Sequence, residues 1–417
     1  MLRLSGDHRV GGEVKAPPDK SISHRAIILS LISGEGRLTN LSRAIDVGRS
    51  LELARALGAG IEGNDVVYIR RRAFREPSQP LFARNSGTTV RLFVGLLAAL
   101  PFFSILYGDW SLSRRPMKRV VEPLRSMGAR IDGRGEGERL PLAIRGGGLK
   151  GVEYELPVPS AQVKSALLIA GLLAEGETVV RERIPSRDHT ERLLELCGAR
   201  LKKKDGRIEL LPSDLQQLDL RVPGDFSSAA YLLALGLLKG KVKVRDVGLN
   251  PTRTGLLRVL RRMGAELEVN EKGGEPEPIG EITATASRLK AVAVGEEMVP
   301  CLIDEIPLLA VLSTQAEGET RITGARELRF KESDRIRAIV LELRKMGADI
   351  EELEDGLVIR GPTRLKGAIL RAHGDHRLAL SLVVASLAAE GESQLLGDSW
   401  IAISYPEFLE HLKCLLK

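Results

Sequence analysis

Two kinds of helical pattern alternate along the chain. In the first, apolar residues recur every three or four positions, basic residues cover the opposite face, and a Gly-Ala pair precedes a strand. A glycine is typical of the left-handed turn that ends a helix, because it has no Cβ to clash. The pattern predicts amphipathic surface helices that end at Gly58, Gly128, Gly198, Gly264 and Gly347. A further helix over residues 406–416 closes the chain without the Gly-Ala pair.

The second pattern is apolar on nearly all sides and leads through a glycine turn into a strand. Its clear copies span 168–180, 308–322 and 382–396, and weaker copies span 27–41, 92–107 and 232–244. A helix without a polar face is expected to be buried. The alternation gives six helix–strand–helix–strand units, which predict an α/β fold of two similar domains with three repeats each.

Composition narrows the classes of function. The chain has 417 residues, enough for two or three domains, and its net charge of +7 favours anionic partners. Nucleic acid fits less well than phosphorylated metabolites, because aromatic residues are only 4% and the basic residues fall in separate motifs. The three cysteines are scattered, which argues against zinc and disulfides. Neither a membrane span nor a targeting segment is visible, so we expect a soluble cytoplasmic protein.

Polar motifs recur just before the buried helices. Lys20, Ser21 and Arg25 crowd one predicted helix start, where cations oppose the helix dipole unless an anion binds. Gly87 lies among Ser and Thr, a composition that lets backbone N–H groups approach a phosphate. Arg115 belongs to an arginine pair before the next helix. Each motif is also explained without a ligand, as an ordinary helix cap, a turn or an exposed arginine pair. The residues alone do not decide between this structural interpretation and an anion site.

A fourth motif places Ser160, Gln162 and Lys164 at the start of another buried helix. A lysine this close to an apolar helix needs a partner, because an uncompensated buried charge is costly. A similar polar pattern follows at 186–191, one helix later.

The C-terminal half adds acids to these cations. Asp304 stands before an apolar helix, where a carboxylate caps the helix, binds hydroxyls or takes a proton. Lys331, Glu332 and Arg335 precede a predicted helix over 336–346. Either Ser333 or Asp334 is expected to cap this helix. The cluster of Lys331, Glu332 and Arg335 is either an ion pair at a solvated helix start or an anion site.

The sixth motif, 373–377, holds two histidines around Asp375. A metal site is the less favoured reading, because no further ligands flank the histidines. The favoured interpretation is that Asp375 caps a helix and that Arg377 binds an anion. The cations and acids together fit a ligand, or two ligands, carrying a phosphate and a carboxylate.

The motifs resemble those of one enzyme family along the whole chain. They are Asp-Lys-Ser-Ile-Ser-His-Arg at 19–25, Asn-Ser-Gly-Thr-Thr-Val-Arg at 85–91, Ser-Ala-Gln-Val-Lys-Ser-Ala-Leu-Leu at 160–168, Lys-Glu-Ser-Asp-Arg at 331–335 and Asp-His-Arg at 375–377. In these segments the chain resembles the 5-enolpyruvylshikimate-3-phosphate synthases, which are 3-phosphoshikimate 1-carboxyvinyltransferases.

The resemblance implies a fold and a domain division. It implies two domains of three βαβαββ repeats around buried parallel helices, with ligands in the cleft between the domains. One domain would comprise residues 1–19 and 229–417, and the inserted domain residues 20–228. The resemblance also implies a cytoplasmic enzyme of the shikimate pathway that needs neither metal nor cofactor, and we expect a monomer.

The resemblance further assigns site residues. The expected phosphoenolpyruvate contacts are Lys20, Asn85, Gly87, Arg115, Gln162, Arg335 and Arg377. The expected shikimate 3-phosphate contacts are Lys20, Ser21, Arg25, Ser160, Ala161, Gln162, Ser186, Asp304 and Lys331. The expected catalytic residues are Glu332, which exchanges a proton with carbon, and Asp304 or Lys20, which takes the proton of the attacking hydroxyl. Because position 87 is glycine, sensitivity to glyphosate is expected too.

Three positions depart from the pattern of some family members. Ile403 stands where a lysine contacts a carboxylate, Glu327 where an asparagine contacts substrate, and His189 where a tyrosine lies in the pocket. These differences concern affinity and pocket detail rather than the reaction.

Two alternatives are a related enzyme and a protein of a different class. The related enolpyruvyl transferase that acts on UDP-N-acetylglucosamine pairs the first lysine with asparagine, whereas Ser21 follows Lys20 here. That family usually also has a cysteine near residues 111–118, and this chain has none there. An RNA-binding or RNA-end-processing protein on a related scaffold is the remaining alternative, against which the 160–168 and 331–335 motifs argue.

Overall fold

The computed structural model describes residues 1–417, and the chain forms two compact units. The discontinuous unit comprises Met1–Pro17 and Pro223–Lys417, and the inserted unit comprises Pro18–Val222. No helix has the length and apolar character needed to cross a membrane.

The chain contains fourteen α-helices and three short 3₁₀ helices. The α-helices are α1 (Lys20–Ser33), α2 (Ile45–Ala56), α3 (Gly87–Ala99), α4 (Lys118–Ser126), α5 (Arg134–Gly137), α6 (Ala161–Gly171), α7 (His189–Leu196), α8 (Phe226–Lys239), α9 (Gly255–Arg262), α10 (Val299–Leu302), α11 (Ile306–Ser313), α12 (Arg335–Lys345), α13 (His376–Ala388) and α14 (Phe408–Leu415). The 3₁₀ helices are Leu112–Arg114, Arg326–Phe330 and Asp398–Ile403.

Twenty-three strands complete the secondary structure. They are β1 (Leu2–Ser5), β2 (Val10–Lys15), β3 (Glu35–Thr39), β4 (Gly60–Glu62), β5 (Val66–Arg70), β6 (Leu81–Phe82), β7 (Phe103–Tyr107), β8 (Arg130–Gly133), β9 (Arg139–Arg145), β10 (Glu153–Glu155), β11 (Thr178–Arg181), β12 (Leu201–Lys204), β13 (Arg207–Leu210), β14 (Leu218–Arg221), β15 (Gly240–Gly248), β16 (Glu266–Gly273), β17 (Ile279–Thr285), β18 (Ala293–Val294), β19 (Gly318–Ile322), β20 (Asp349–Glu352), β21 (Leu357–Gly361), β22 (Ile369–Arg371) and β23 (Glu392–Leu396).

The strands form six small sheets, three in each unit. In the inserted unit the orders are β14-β3-β5-β4, β6-β7-β9-β8 and β10-β11-β13-β12. Each of these sheets has one parallel pair, formed by its first two strands, followed by two antiparallel pairs. The shared strand order confirms the repeat that the sequence predicts.

The discontinuous unit repeats this plan with one change. Its sheets are β16-β17-β15-β2, β18-β19-β21-β20 and β1-β23-β22. The N-terminal strands complete two of them, since β2 runs parallel to β15 and β1 runs antiparallel to β23. The third sheet has only three strands. After β23 the chain forms the 3₁₀ helix Asp398–Ile403 and then α14, where the other repeats have an antiparallel hairpin.

The two helical patterns separate as the sequence predicts. Helices α3, α8, α11 and α13 are buried along almost their whole length, whereas α4, α9 and α12 bury one face only. In the inserted unit α3 packs against α1 and α6, and in the discontinuous unit α8, α11 and α13 contact one another. The glycines of the five Gly-Ala pairs have φ between 76° and 101°, which confirms the predicted left-handed helix ends.

Two glycines in helices provide a test of this packing. A Cβ on Gly95 of α3 would lie 2.4 Å from the carbonyl oxygen of Ala166 in α6, whereas a Cβ on Gly48 of α2 has no heavy atom within 4 Å. We expect Gly95→Ala to lower the free energy of unfolding by about 1–3 kcal/mol through overpacking. Gly48→Ala is expected to raise it by about 0.5–1 kcal/mol through helix propensity. Urea unfolding of both variants measures these changes, and equal effects would contradict the close helix contact.

Candidate active site

In the inserted unit, three helix starts carry most of the predicted residues. Asp19 caps α1 by accepting a hydrogen bond from the backbone N–H of Ile22 at 2.8 Å. Ser86 and Ser160 cap α3 and α6 in the same way, through the N–H groups of Thr89 and Val163. Lys20, Gly87 and Ala161 are therefore the first residues of their helices, where the helix dipole favours an anion.

Lys20 is balanced by a residue that sequence reasoning missed. Its Nζ lies 2.9 Å from Oδ2 of Asp46, in the first turn of α2, and both side chains are largely buried. This carboxylate offsets the unfavourable position of a lysine at a helix start. Asp46 lies in no recognisable motif, so only the tertiary contact identifies it.

Gly87 lies against two arginines. Arg115 is buried and donates from Nη2 to Oδ1 of Asn85 at 2.5 Å. A Cβ on Gly87 would lie 3.2 Å from Nη1 of both Arg115 and Arg91. Arg91 in turn donates to Oε1 of Gln162 at 2.6 Å, so this arginine also belongs to the site although the sequence reading did not assign it.

Arg25 joins three elements at the other side of α1. It is buried and donates to the Thr190 hydroxyl at 2.8 Å, to the Ser165 hydroxyl at 2.9 Å and to the Ser21 carbonyl at 2.9 Å. These bonds fix the guanidinium between α6 and α7. His189 is buried at the first position of α7, beside Thr190.

In the discontinuous unit, Arg335 is the centre of the predicted cluster. Its guanidinium is buried within 2.8 Å of Asp375, 2.7 Å of Glu332 and 3.2 Å of Asp304. Burial alone lowers the pKa of Arg335, but the three carboxylates outweigh burial and raise the pKa above its usual value. The group is therefore a permanent cation, and a guanidinium is the side-chain group best suited to bind carboxylates.

Asp304 lies among arginines from three elements. Besides Arg335, Arg377 lies at 3.9 Å and Arg253 at 3.7 Å from its Oδ2. Arg253 also bonds the buried Glu305 and Ser227. For Arg377, burial lowers the pKa, yet Tyr231, Asp304, Asp225 and Glu305 raise it well above the usual value. Arg253 is a second arginine that no motif reading assigned.

Lys331 has a lowered pKa, whereas the pKa values of Arg335 and Arg377 are raised. Burial lowers the pKa of its ammonium group to about 8, against the opposing effect of Asp304, Glu327 and Glu332. Glu327 lies in the 3₁₀ helix before Lys331, at one of the positions that depart from the family pattern. Ile403 ends the 3₁₀ helix Asp398–Ile403 and is half-buried.

The helix that follows Lys331 begins one residue earlier than predicted. Asp334, not Ser333, is its cap and accepts from the N–H of Arg337 at 3.0 Å. The Ser333 hydroxyl instead donates to Oδ2 of Asp375 at 3.2 Å. Asp375 therefore bonds Ser333 and Arg335 while its Oδ1 also caps α13 through the N–H of Arg377 at 2.8 Å.

The two histidines around Asp375 have separate surroundings. His373 has Nε2 2.7 Å from Oε1 of the buried Glu342, whereas His376 is the first residue of α13. No group of three or more His, Cys, Asp or Glu side chains is arranged to hold a metal ion.

The fold and these clusters identify the class of protein. The structure of the enolpyruvyl transferase NikO from Streptomyces tendae matches 100% of this chain and 97% of its own with a TM-score of 0.82 at 19% identity, which shows a shared fold. The chain thus has the enolpyruvyl transferase fold, with buried cations and carboxylates at the helix starts of both units.

The particular family follows from closer matches. The family model for EPSP synthase (3-phosphoshikimate 1-carboxyvinyltransferase) matches residues 4–412, and the chain belongs to this family. A 3-phosphoshikimate 1-carboxyvinyltransferase of Thermotoga neapolitana is 47% identical, with 97% of each chain covered. One of Bacillus cytotoxicus is 43% identical over 100% of each chain. EPSP synthase from Acinetobacter baumannii has a TM-score of 0.86 at 39% identity, covering 100% of this chain and 98% of its own.

The lowered pKa of Lys331 predicts a pH-dependent stability. The folded pKa of about 8 lies below the value of about 10.4 in an unfolded chain, so the unfolded state holds more protons between these values. The Lys331 contribution to the free energy of unfolding therefore rises with pH across this window. We expect Lys331→Met to be more stable than the unmodified protein at neutral pH, by a margin that shrinks as the pH rises above about 8.

Urea unfolding at pH values on both sides of this window measures the margin. The exposed Lys413, in α14, provides the control substitution Lys413→Met. A margin that does not change with pH would contradict the lowered pKa of the Lys331 ammonium group.

Proposed function

We propose that this chain transfers the enolpyruvyl group of phosphoenolpyruvate to the 5-hydroxyl of shikimate 3-phosphate and releases phosphate. Family membership over almost the whole chain supports the proposal. The observation that carries it in the structure is the cluster of Glu332, Asp304 and Arg335, which places two acids beside a permanent buried cation. Such a cluster can hold a carboxylate and exchange a proton next to it.

The cations that the resemblance assigns to phosphoenolpyruvate form two groups. In the inserted unit, Lys20, Arg115 and the α3 start at Gly87 would take its phosphate, with Asn85 and Gln162 as further donors. In the discontinuous unit, Arg335 and Arg377 would take its carboxylate. A Cβ at position 87 would lie 3.2 Å from Nη1 of both Arg115 and Arg91, so glycine leaves these arginines uncrowded, and sensitivity to glyphosate stays an expectation.

Shikimate 3-phosphate would lie against other groups. Ser160, the Ala161 backbone, Gln162 and Ser186 would bind its phosphate, and the start of α6 would contribute its dipole. Ser21 and Arg25 would meet its carboxylate. Asp304, Lys331 and Lys20 would meet its hydroxyls.

The proposed reaction is an addition followed by an elimination. Glu332 gives a proton to the methylene carbon of phosphoenolpyruvate, and the 5-hydroxyl attacks the cationic carbon while Asp304 or Lys20 takes its proton. The tetrahedral adduct then loses phosphate, and a proton returns from the methyl carbon to Glu332. The surrounding cations stabilise the several negative charges that the two substrates bring together. This chemistry uses no metal or organic cofactor, and we propose a cytoplasmic monomer.

A phosphate-release assay tests the function. Purified protein with phosphoenolpyruvate and shikimate 3-phosphate is expected to release inorganic phosphate and to form 5-enolpyruvylshikimate 3-phosphate, detected by mass spectrometry. UDP-N-acetylglucosamine in place of shikimate 3-phosphate is expected to give no release. Release with the sugar nucleotide alone would favour the related transferase, and no release with either acceptor would contradict the proposal.

Glu332→Gln tests the role of the proton donor. The amide oxygen still accepts from Arg335, which now bonds Oε2 of Glu332 at 2.7 Å, so the cluster keeps its shape. The amide cannot deliver the proton, and we expect kcat to fall by about 10²-fold or more. Calorimetric binding of shikimate 3-phosphate is expected to stay unchanged. Glu354→Gln, at a mostly exposed carboxylate, is the control. Lost binding in Glu332→Gln would make Glu332 a structural residue instead.

A further inference from the structure

Lys164 is among the most deeply buried cations of the inserted unit. It lies in the first turn of α6, with 1% of its side chain exposed, and its Nζ lies 2.7 Å from both Glu182 and Glu191. The same Nζ donates to the backbone carbonyl of Ser186 at 3.3 Å. The lysine that the sequence marked as needing a partner therefore has two carboxylates, and none of these contacts is part of the proposed reaction.

The two carboxylates differ in what else they bind. Oε2 of Glu182 faces Lys164, while Oε1 accepts both the backbone N–H of Ser186, at 3.3 Å, and the Ser186 hydroxyl. Glu191 has Oε1 at Lys164, and its Oε2 is buried without a hydrogen-bond partner. Of the two carboxylates, only Glu182 also bonds Ser186.

The pKa values of Glu191 and Lys164 are both shifted by burial and by their contact with each other. Burial raises the pKa of Glu191 in spite of Lys164, which favours its neutral form. Burial lowers the pKa of Lys164, but the two carboxylates outweigh burial and raise it. Two carboxylates around the ammonium group avoid the cost of an uncompensated buried charge.

We infer that Lys164 and Glu182 are positioning residues that fix the backbone of Ser186, so that its hydroxyl can turn from Glu182 to the phosphate of shikimate 3-phosphate. This role rests on the proposed function. The N–H of Ser186 bonds Glu182 and its carbonyl bonds Lys164, so both backbone groups are held whichever way the hydroxyl points. The same α6 turn also provides Ser160, another proposed phosphate contact, as the helix cap.

Glu182→Gln and Glu191→Gln form a matched pair of variants. In Glu182→Gln, the amide oxygen must face the Lys164 ammonium, and the NH₂ group then meets the Ser186 N–H, donor against donor. In Glu191→Gln, the amide oxygen also faces Lys164, but the NH₂ group takes the place of the unpartnered Oε2. Both variants alter the surroundings of one lysine, and only the first displaces Ser186.

We expect Glu182→Gln to weaken the calorimetric Kd for shikimate 3-phosphate by about tenfold, the effect of losing one charge-assisted hydrogen bond. The KM for phosphoenolpyruvate is expected to stay within about twofold. Glu191→Gln is expected to leave both values unchanged. Glu182→Asp keeps the charge, is expected to recover part of the affinity, and provides the measurement if the glutamine variant does not fold.

Several outcomes would overturn the positioning role. These are an unchanged Kd in Glu182→Gln, an equal loss in Glu191→Gln, or a parallel loss of affinity for both substrates together with a lowered melting temperature. Calorimetry with shikimate 3-phosphate alone needs no turnover. A protein that binds this ligand as expected but releases no phosphate would therefore contradict the proposed reaction and leave the positioning role supported.

Discussion

Buried positive charge is the constraint on which the clusters of both units depend. Arg335, Lys164 and Arg253 are almost fully inaccessible, and each one lies against at least two carboxylates. A buried cation without such partners would cost several kcal/mol. The carboxylates therefore stabilise these cations in the interior, and among the three only Arg335, the first residue of α12, is a proposed ligand contact.

The carboxylates do more than neutralise charge, because most of them have a second bond. Asp375 holds Arg335 and also caps α13, the helix that carries Arg377. Glu182 holds Lys164 and also the backbone of Ser186. Because these two acids each connect a cation to a neighbouring segment, the bonds that stabilise the folded unit also set the positions of Arg335 and Ser186. Fold and site are thus specified together.

The sequence predicts the repeat and the helix starts, because both rest on local physics. The Gly-Ala pairs indicate left-handed helix ends. Asp19 and Ser160 cap their helices by accepting from backbone N–H groups only three residues later in the chain. The charge partners are not local. Asp46 pairs with Lys20 across 26 residues and Glu182 with Lys164 across 18, and neither acid stands in a pattern of its own. Only the packing of helices and loops identifies such residues.

The departures from the family pattern act on the same balance of charge. Where some members have asparagine, this chain has Glu327, and where some have lysine, it has Ile403, so these two positions together carry a net charge lower by two than asparagine and lysine would. Burial lowers the pKa of Lys331 to about 8, and Glu327 acts in the opposite direction. Without that carboxylate the ammonium group would lose its proton nearer neutral pH. Glu327 therefore helps to keep Lys331 charged.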